Sequence, residues 1–355
     1  MQRRKEIDEM YMARCLDLAS MGRGYTYPNP LVGSVIIYRD SIIGEGYHRE
    51  FGKPHSEVNA IEMVKDKSVL GESTMYVNLE PCCHSGKTPP CTDLIIRSGI
   101  RNIVIGSVDP NPSVSGSGIR QLENSGCNVT TGVLEQEGKN LNRSFFTYFE
   151  KKRPYIILKW AESADGYLDR IRTEDAPIGP NWITGELEKT LVHIWRAHEQ
   201  AVMVGGGTVI IDNPRLTVRH WTGRQPLRIS ISREANFPGG TNLLDNQYKT
   251  LIYTEKILPA SEALEYVQLD YNKDTIVQVL KDLYSREINS LIVEGGKKLL
   301  ESFLNSGIWD EARVFKGDRE FLTGIKAPTI NSSPVNRIFL FQSELKIYRN
   351  WNHKR

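Results

Sequence analysis

No apolar run in this chain is long enough to cross a bilayer; the longest nearly apolar stretch, Ala201 to Ile211, is interrupted by three glycines. No secretory hydrophobic region follows the charged start Met1-Gln2-Arg3-Arg4-Lys5, so a cytoplasmic protein is the expectation. Repeats and low-complexity segments are also missing. Cysteine is scarce, with five in 355 residues, and three of them (Cys82, Cys83 and Cys91) fall within ten positions. A disulfide framework would spread its cysteines through a shorter secreted chain, so this clustering reads as a metal site. Cys15 and Cys127 stand alone and read as small buried apolar side chains. Neither sign of charge dominates. Residues 1–150 carry 16 Lys and Arg against 18 Asp and Glu, and the remainder 29 against 25. Neither half has the basic stripe of a nucleic-acid binder, so neither nucleic acid nor membrane is expected as a partner.

What is present is an ordinary globular balance, 39% hydrophobic and 25% charged, which excludes a disordered or collagenous chain. A length of 355 residues suggests two domains at roughly 150 residues each. The expected boundary is the charged segment Glu150-Lys151-Lys152-Arg153-Pro154, giving domains 1–150 and 151–355. In the first, Ile7, Met10, Tyr11 and Leu18 sit at helical spacing, and Gly22 and Gly24 end that element. Leu31 to Tyr38 and Ile42 to Gly46 predict a strand pair around Arg39-Asp40. A helix is expected from Ser56, a strand over Met75 to Leu79, a helix from near Pro90 to Gly99, and a strand over Ile103 to Val108. The second half predicts strands at Tyr155 to Leu158, Ala201 to Val204, Leu227 to Ile231, Thr250 to Tyr253 and Leu291 to Val293. Helices are expected over Thr275 to Tyr284 and Lys297 to Leu304. Alternation of this kind predicts α/β domains, sheets with helices on their faces.

Two segments carry most of the chemistry: Pro54-His55-Ser56-Glu57, and Glu80-Pro81-Cys82-Cys83-His84 running on to Pro90-Cys91. Catalytic zinc takes three soft or imidazole ligands and leaves a fourth position for water. His55, Cys82 and Cys91 supply that N-S-S set, with His55 and Cys91 near helix starts that favour anionic ligands. Glu57, two residues past His55, is placed to exchange a proton with the bound water, whose pKa zinc lowers towards ~7. H-x-E followed by P-C and a later Cys is the signature of zinc nucleobase deaminases. The alternative is a structural zinc knuckle closed by His84 or Cys83, which leaves Glu57 without a role. Cys83 is expected to be a neighbour rather than a ligand.

The spacing departs from the usual P-C-x-x-C, since eight residues separate Cys82 from Cys91. Together with Pro28-Asn29-Pro30-Leu31-Val32-Gly33, Gly46-Tyr47-His48 and Asp109-Pro110-Asn111-Pro112, that filling resembles the bifunctional pyrimidine deaminase/reductases of riboflavin biosynthesis. The resemblance implies a cytidine-deaminase-like domain acting on a ribosylamino-pyrimidinone 5′-phosphate, with one Zn2+ per chain. It implicates Asn29, His48, Lys87 and Thr88 in holding the base and phosphate.

The second half lacks G-x-G-x-x-G, so a Rossmann site is not supported. It has two strand–glycine–helix junctions, Gly205-Gly206-Gly207-Thr208 and Glu294-Gly295-Gly296-Lys297, which suit a phosphate-bearing cofactor. The segments Leu158 to Gly166, Trp182-Ile183-Thr184, Asp212 to Arg219 and Val293 to Gly296 are similar to the same family's reductase domain. That likeness implies a dihydrofolate-reductase-like fold using NADPH to convert a ribosyl group to ribityl. By motif, Ala161, Trp182, Thr208, Asp212 and Gly296 would line the NADPH site. Arg196, Leu216, Arg219 and Glu294 would contact substrate, the arginines suiting its phosphate. Either Asp212 or Glu294 could supply the proton that accompanies hydride transfer. The family often has a hydroxyl residue where this chain has Pro180, so a side-chain hydrogen bond from that position is not expected. Two further readings compete with this one: a nucleotide or tRNA deaminase with an inert C-terminal domain, and a non-catalytic zinc module. Self-association is left open.

Overall fold

The structure, a computed structural model, describes residues 2–84, 89–172 and 177–351. It divides into two compact units, Met1–Lys152 and Arg153–Arg355. Among the described residues no helix is long and apolar enough to cross a membrane.

The first unit runs α1 (Gln2–Ser20), β1 (Gly33–Tyr38), β2 (Ser41–Tyr47), α2 (Ser56–Met63), β3 (Thr74–Leu79), α3 (Cys91–Arg97), β4 (Asn102–Ser107), α4 (Ser117–Asn124), β5 (Asn128–Thr131), α5 (Glu135–Leu141) and α6 (Arg143–Lys151). Its sheet has the order β2-β1-β3-β4-β5, antiparallel at the β1 end and parallel from β3 to β5. Arg39 and Asp40 both take positive φ (47° and 60°), the pair a two-residue hairpin turn demands. Strand residues alternate between two cores. Ile36, Met75, Val77, Ile103 and Ile105 pack with Ala60, Ile61, Ile95 and Leu122 of α2, α3 and α4. Val35, Ile37, Tyr76 and Val104 face Tyr11, Met12, Cys15 and Leu18 of α1. That period of two is why the strands are apolar throughout.

Three expectations shift. Met10 is 56% exposed rather than on the apolar stripe of α1, and Val108 lies past the end of β4. The first strand begins at Gly33, not Leu31. The Leu31 N–H donates to Asn142 Oδ1, and its carbonyl accepts from Asn78 Nδ2 and Asn142 Nδ2, so side chains take the place of a neighbouring strand.

The second unit contains β6 (Tyr155–Glu162), β7 (Tyr167–Asp169), α7 (Glu186–His198), β8 (Ala201–Gly205), α8 (Gly206–Asp212), β9 (Leu227–Ile231), β10 (Thr250–Thr254), β11 (Leu264–Gln268), α9 (Thr275–Ser285), β12 (Ser290–Val293), α10 (Lys297–Ser306), β13 (Glu311–Gly317), β14 (Ile325–Lys326), β15 (Asn336–Phe339) and β16 (Ser343–Arg349). The main sheet runs β11-β10-β9-β8-β12-β6-β13-β16-β15. From β11 to β13 the neighbours are parallel, and β16 and β15 close the sheet as antiparallel strands. Leu158, Met203, Ile229, Tyr253 and Val293 pack under α9 and α10 on one face, while Ile157, Val202, Val204 and Ile292 face Val209 and Leu216 on the other. The carboxyl ends of β8, β12 and β6 therefore lie side by side, the usual place for ligands in a parallel sheet.

Candidate deaminase and reductase sites

In the first unit the two signature segments are brought to the starts of adjacent helices. His55 is the residue before α2, and Cys91 opens α3. Gly46 permits the first: a Cβ there would sit 2.6 Å from the Ala60 nitrogen and 2.8 Å from the Ser56 carbonyl oxygen. His55 Nδ1 lies 3.6 Å from Cys82 Sγ and 3.3 Å from Cys91 Sγ, and the three donor atoms all fall within 4.8 Å of one another. Tetrahedral zinc, with Zn–S near 2.3 Å and Zn–N near 2.05 Å, places N and S ligand atoms about 3.6 Å apart. The donor set fits zinc in kind and in spacing. The Cys82 thiol is pulled down to about 4, chiefly by the hydrogen bond from the Cys91 thiol and further by His55 and the Cys91 backbone N–H, while burial opposes the shift. Burial pushes the Cys83 thiol up, and Cys83 is not in the donor cluster.

Glu57 is buried, and burial raises its carboxyl above the ordinary range. Its Oε2 accepts from Ser56 Oγ at 3.0 Å, and Ser56 in turn pairs with Ser34 Oγ at 2.7 Å. His48 stacks edge-on to His55 with ring centroids 5.2 Å apart. Its Nδ1 faces the Pro54 carbonyl at 3.2 Å, so that nitrogen carries the proton and Nε2 accepts from Asn29 Nδ2 at 3.1 Å. Asn29, His48, His55, Glu57, Cys82 and Cys91 are thus gathered in one place. Lys87 and Thr88 lie outside the described residues. Glu80 was missed in the sequence: its buried carboxylate accepts four backbone N–H groups, from Asp109, Gly116, Gly118 and Ile119, and so holds the Asp109 to Ile119 segment beside Cys82.

In the second unit Ala161 lies at the carboxyl end of β6, Thr208 in the first turn of α8, and Gly296 immediately before α10. The two glycine junctions touch. Gly296 has φ +76°, and a Cβ there would come 3.0 Å from Thr208 Oγ1. A Cβ on Gly207 or Gly295 would meet nothing within 4 Å, and among the described residues no side chain caps α8 or α10. Open space in front of uncapped helix starts fits the phosphates of NADPH. Trp182 is 54% exposed with Lys189 Nζ 4.0 Å over its ring, so it is not a core aromatic.

Arg196 and Glu294 form a buried fork, Nε to Oε1 at 2.7 Å and Nη2 to Oε2 at 2.8 Å, with Lys159 Nζ 4.0 Å away. Burial works against the Glu294 charge, but Arg196 and then Lys159 outweigh it and hold the carboxyl at about 2. Burial raises the Asp212 carboxyl, and Arg172 only partly offsets this from 3.2 Å. Leu216 is buried at φ +53°, and Arg219 is exposed three residues on. Lys159, Arg172 and His193 belong to this site and were not singled out. Lys159 sits inside a motif already quoted, so its position next to the expected strand end was the available signal.

Two family profiles divide the chain. "Cytidine and deoxycytidylate deaminase zinc-binding region" matches residues 5–107, and "RibD C-terminal domain" matches residues 154–317. The class is therefore a cytidine-deaminase-like zinc domain followed by a RibD-type reductase domain, and zinc and NADPH are their cofactors. The riboflavin biosynthesis protein RibD of Aquifex aeolicus is 43% identical over 319 residues, covering 88% of this chain and 87% of its own. That of Escherichia coli is 36% identical, covering 87% of each. The crystal structure of a diaminohydroxyphosphoribosylaminopyrimidine deaminase/5-amino-6-(5-phosphoribosylamino)uracil reductase from Thermotoga maritima superposes with a TM-score of 0.87 at 38% identity, covering 98% of this chain and 99% of that one. The chain belongs to the RibD family, the bifunctional deaminase–reductases of riboflavin biosynthesis.

Proposed function

We propose that residues 1–152 hydrolytically deaminate 2,5-diamino-6-ribosylamino-4(3H)-pyrimidinone 5′-phosphate, and that residues 153–355 then reduce its ribosyl group to ribityl with NADPH. The observation that carries this reading is the His55, Cys82 and Cys91 donor triangle with buried Glu57 beside it. Zinc, when bound, supplies an activated water near neutral pH. The chain's own residues do the rest. Glu57 takes a proton on its carboxylate, delivers it to the ring nitrogen and then assists departure of ammonia, so one water enters and one ammonia leaves. Burial, with the nearby Cys82, raises its carboxyl and brings the protonated form closer, although His55 and Ser56 pull the other way. Asn29 and His48 orient the pyrimidine, with Asn29 fixed by its bond to the neutral imidazole. Lys87 and Thr88 take the phosphate.

NADPH, when bound, supplies the hydride for C1′ of the opened sugar. Ala161, Trp182, Thr208, Asp212 and Gly296 line its site, and preference for NADPH over NADH is part of this reading. Arg196, Leu216, Arg219 and Glu294 hold the substrate, the arginines on its phosphate. A proton must accompany the hydride. Of these two carboxyls, burial raises that of Asp212 against the pull of Arg172, whereas Glu294 is held ionised by Arg196 until an arriving anion releases it. We therefore assign the proton to Asp212. The cytoplasm suits a chain with free thiols and NADPH chemistry. Ammonia release and NADPH oxidation, measured on the phosphorylated diaminopyrimidinone with and without chelator, test the whole reading. Chelator should stop the first and spare the second when the deaminated intermediate is supplied.

A further inference from the structure

The segment Leu216 to Arg219 has no regular secondary structure, yet side chains hold its backbone at four successive polar groups, from the Thr217 carbonyl to the Arg219 N–H. Arg196 Nη1 donates to the Thr217 carbonyl at 3.1 Å. The Gln225 side chain takes both sides of Val218, accepting from its N–H at 2.7 Å and donating to its carbonyl at 3.0 Å. The Arg219 N–H donates to His193 Nδ1 at 2.8 Å. His193 and Arg196 are three residues apart on α7, on its buried face, so one helix surface grips the segment at two points. The grip is needed because Leu216 enters the segment at φ +53°, a left-handed conformation that a branched side chain holds only when its surroundings enforce it.

We propose that His193 is a positioning residue for the reductase, whose neutral imidazole fixes the Arg219 backbone so that the guanidinium meets the substrate phosphate. The proposal rests on the reading of Arg219 as a phosphate contact. Only an unprotonated Nδ1 can accept the Arg219 N–H, so the ring donates through Nε2–H and carries no charge. The groups facing it are Arg196 on its own helix, Arg219 and the next residue His220, and Glu294 after β12, and all but Glu294 favour that state. Burial first, then Arg196, Arg219 and His220, push the ring down to about 4, with Glu294 opposing. His220 packs edge-on to the same ring at 4.8 Å. The choice of imidazole follows from charge. An Asp or Glu at this position would also accept the N–H, but it would ion-pair with Arg196 and Arg219 and cancel the positive field a phosphate needs. Imidazole accepts without that cost. Arg219 Nη1 is then oriented by Thr217 Oγ1 at 2.9 Å, so the clamped backbone sets the direction of the guanidinium.

The test uses the full-length zinc-loaded enzyme with the deaminated, phosphorylated intermediate and NADPH. His193→Ala should raise KM for that intermediate at least tenfold, leave kcat within about threefold, and leave ammonia release unchanged. His193→Asn, whose Oδ1 can occupy the Nδ1 position, should recover most of the loss. Should the alanine variant not fold, His193→Phe, which fills the ring's volume without an acceptor, replaces it. Hydrogen exchange should be faster in the peptide containing the Arg219 amide in the Ala variant and not in the Asn variant. Arg219→Gln separates the two claims. If Arg219→Gln raises KM while His193→Ala leaves it within twofold, His193 only packs, and the proposal is overturned while the phosphate reading stands. If Arg219→Gln leaves KM unchanged, the phosphate reading fails and takes the proposal with it. Loss of kcat and thermal stability without rescue by Asn would also overturn the proposal, since that is what a packing role predicts.

Discussion

The Glu294 carboxylate accepts both Nε and Nη2 of Arg196, two parallel bonds in a buried setting at the carboxyl end of β12. Such a fork is geometrically specific, and it holds a charge that burial alone would expel. Removing one partner leaves the other charged and uncompensated, typically at a cost of 3–5 kcal/mol. Arg196→Met is therefore expected to lower the denaturant midpoint of the reductase unit and abolish reduction, while ammonia release persists. Equal loss of both activities would mean that the fork supports more than its own unit.

Acid should weaken the same unit first. The folded pKa of His193, about 4, lies below its ordinary 6.5, and that of Glu294, about 2, below its ordinary 4.5. In both cases the unfolded chain binds the proton more readily, so stability falls as pH falls. The His193 contribution is complete above pH 6.5 and lost towards 4; that of Glu294 is complete above 4.5 and lost towards 2. For Glu294 the shift corresponds to on the order of 3 kcal/mol. Hydrogen exchange of peptides over residues 186–219 between pH 7 and 4 should show progressive loss of protection, and protection independent of pH would contradict it.

Cys82 and Cys91 are expected to behave alike and Cys83 differently. Cys91→Ser should lose most of the zinc, while Cys83→Ser should keep one zinc per chain, as measured by metal analysis after dialysis. Its thiol lies outside the donor triangle.

Gly296→Ala addresses the cofactor. The new Cβ would meet Thr208 Oγ1 at 3.0 Å, on a backbone held at φ +76°. NADPH titration by fluorescence should show at least tenfold weaker binding, with zinc content and deamination unaffected. Comparable binding would remove the paired glycine junctions from the cofactor site.

The parts legible in the sequence were those with short-range signatures. The charged pair Arg39-Asp40 between apolar runs announced the first hairpin, and H-x-E with P-C announced the metal ligands, because each depends on neighbours along the chain. Arg196 and Glu294 are 98 positions apart, and Glu80 meets Gly118 across 38; such pairings exist only after the sheet order is set. The strand β13, an interior strand between β6 and β16, was not anticipated because Glu311, Arg313 and Lys316 interrupt its apolar residues. Glu311 and Arg313 are buried as an ion pair at 2.6 Å, which a hydropathy pattern reads as surface. Deamination was legible from a dozen residues, whereas the reductase site needed the resemblance and then the fold.

The central claim is that two independent sites act in sequence, and Glu57→Gln tests it most directly. The amide keeps the shape of the carboxylate but cannot carry the proton, so ammonia release should fall by at least ~10²-fold, the low end for a general acid–base group. Zinc content should remain at the wild-type level. Given the deaminated intermediate, the same variant should oxidise NADPH at a near wild-type rate. Loss of both activities in a folded, zinc-loaded protein would contradict the account.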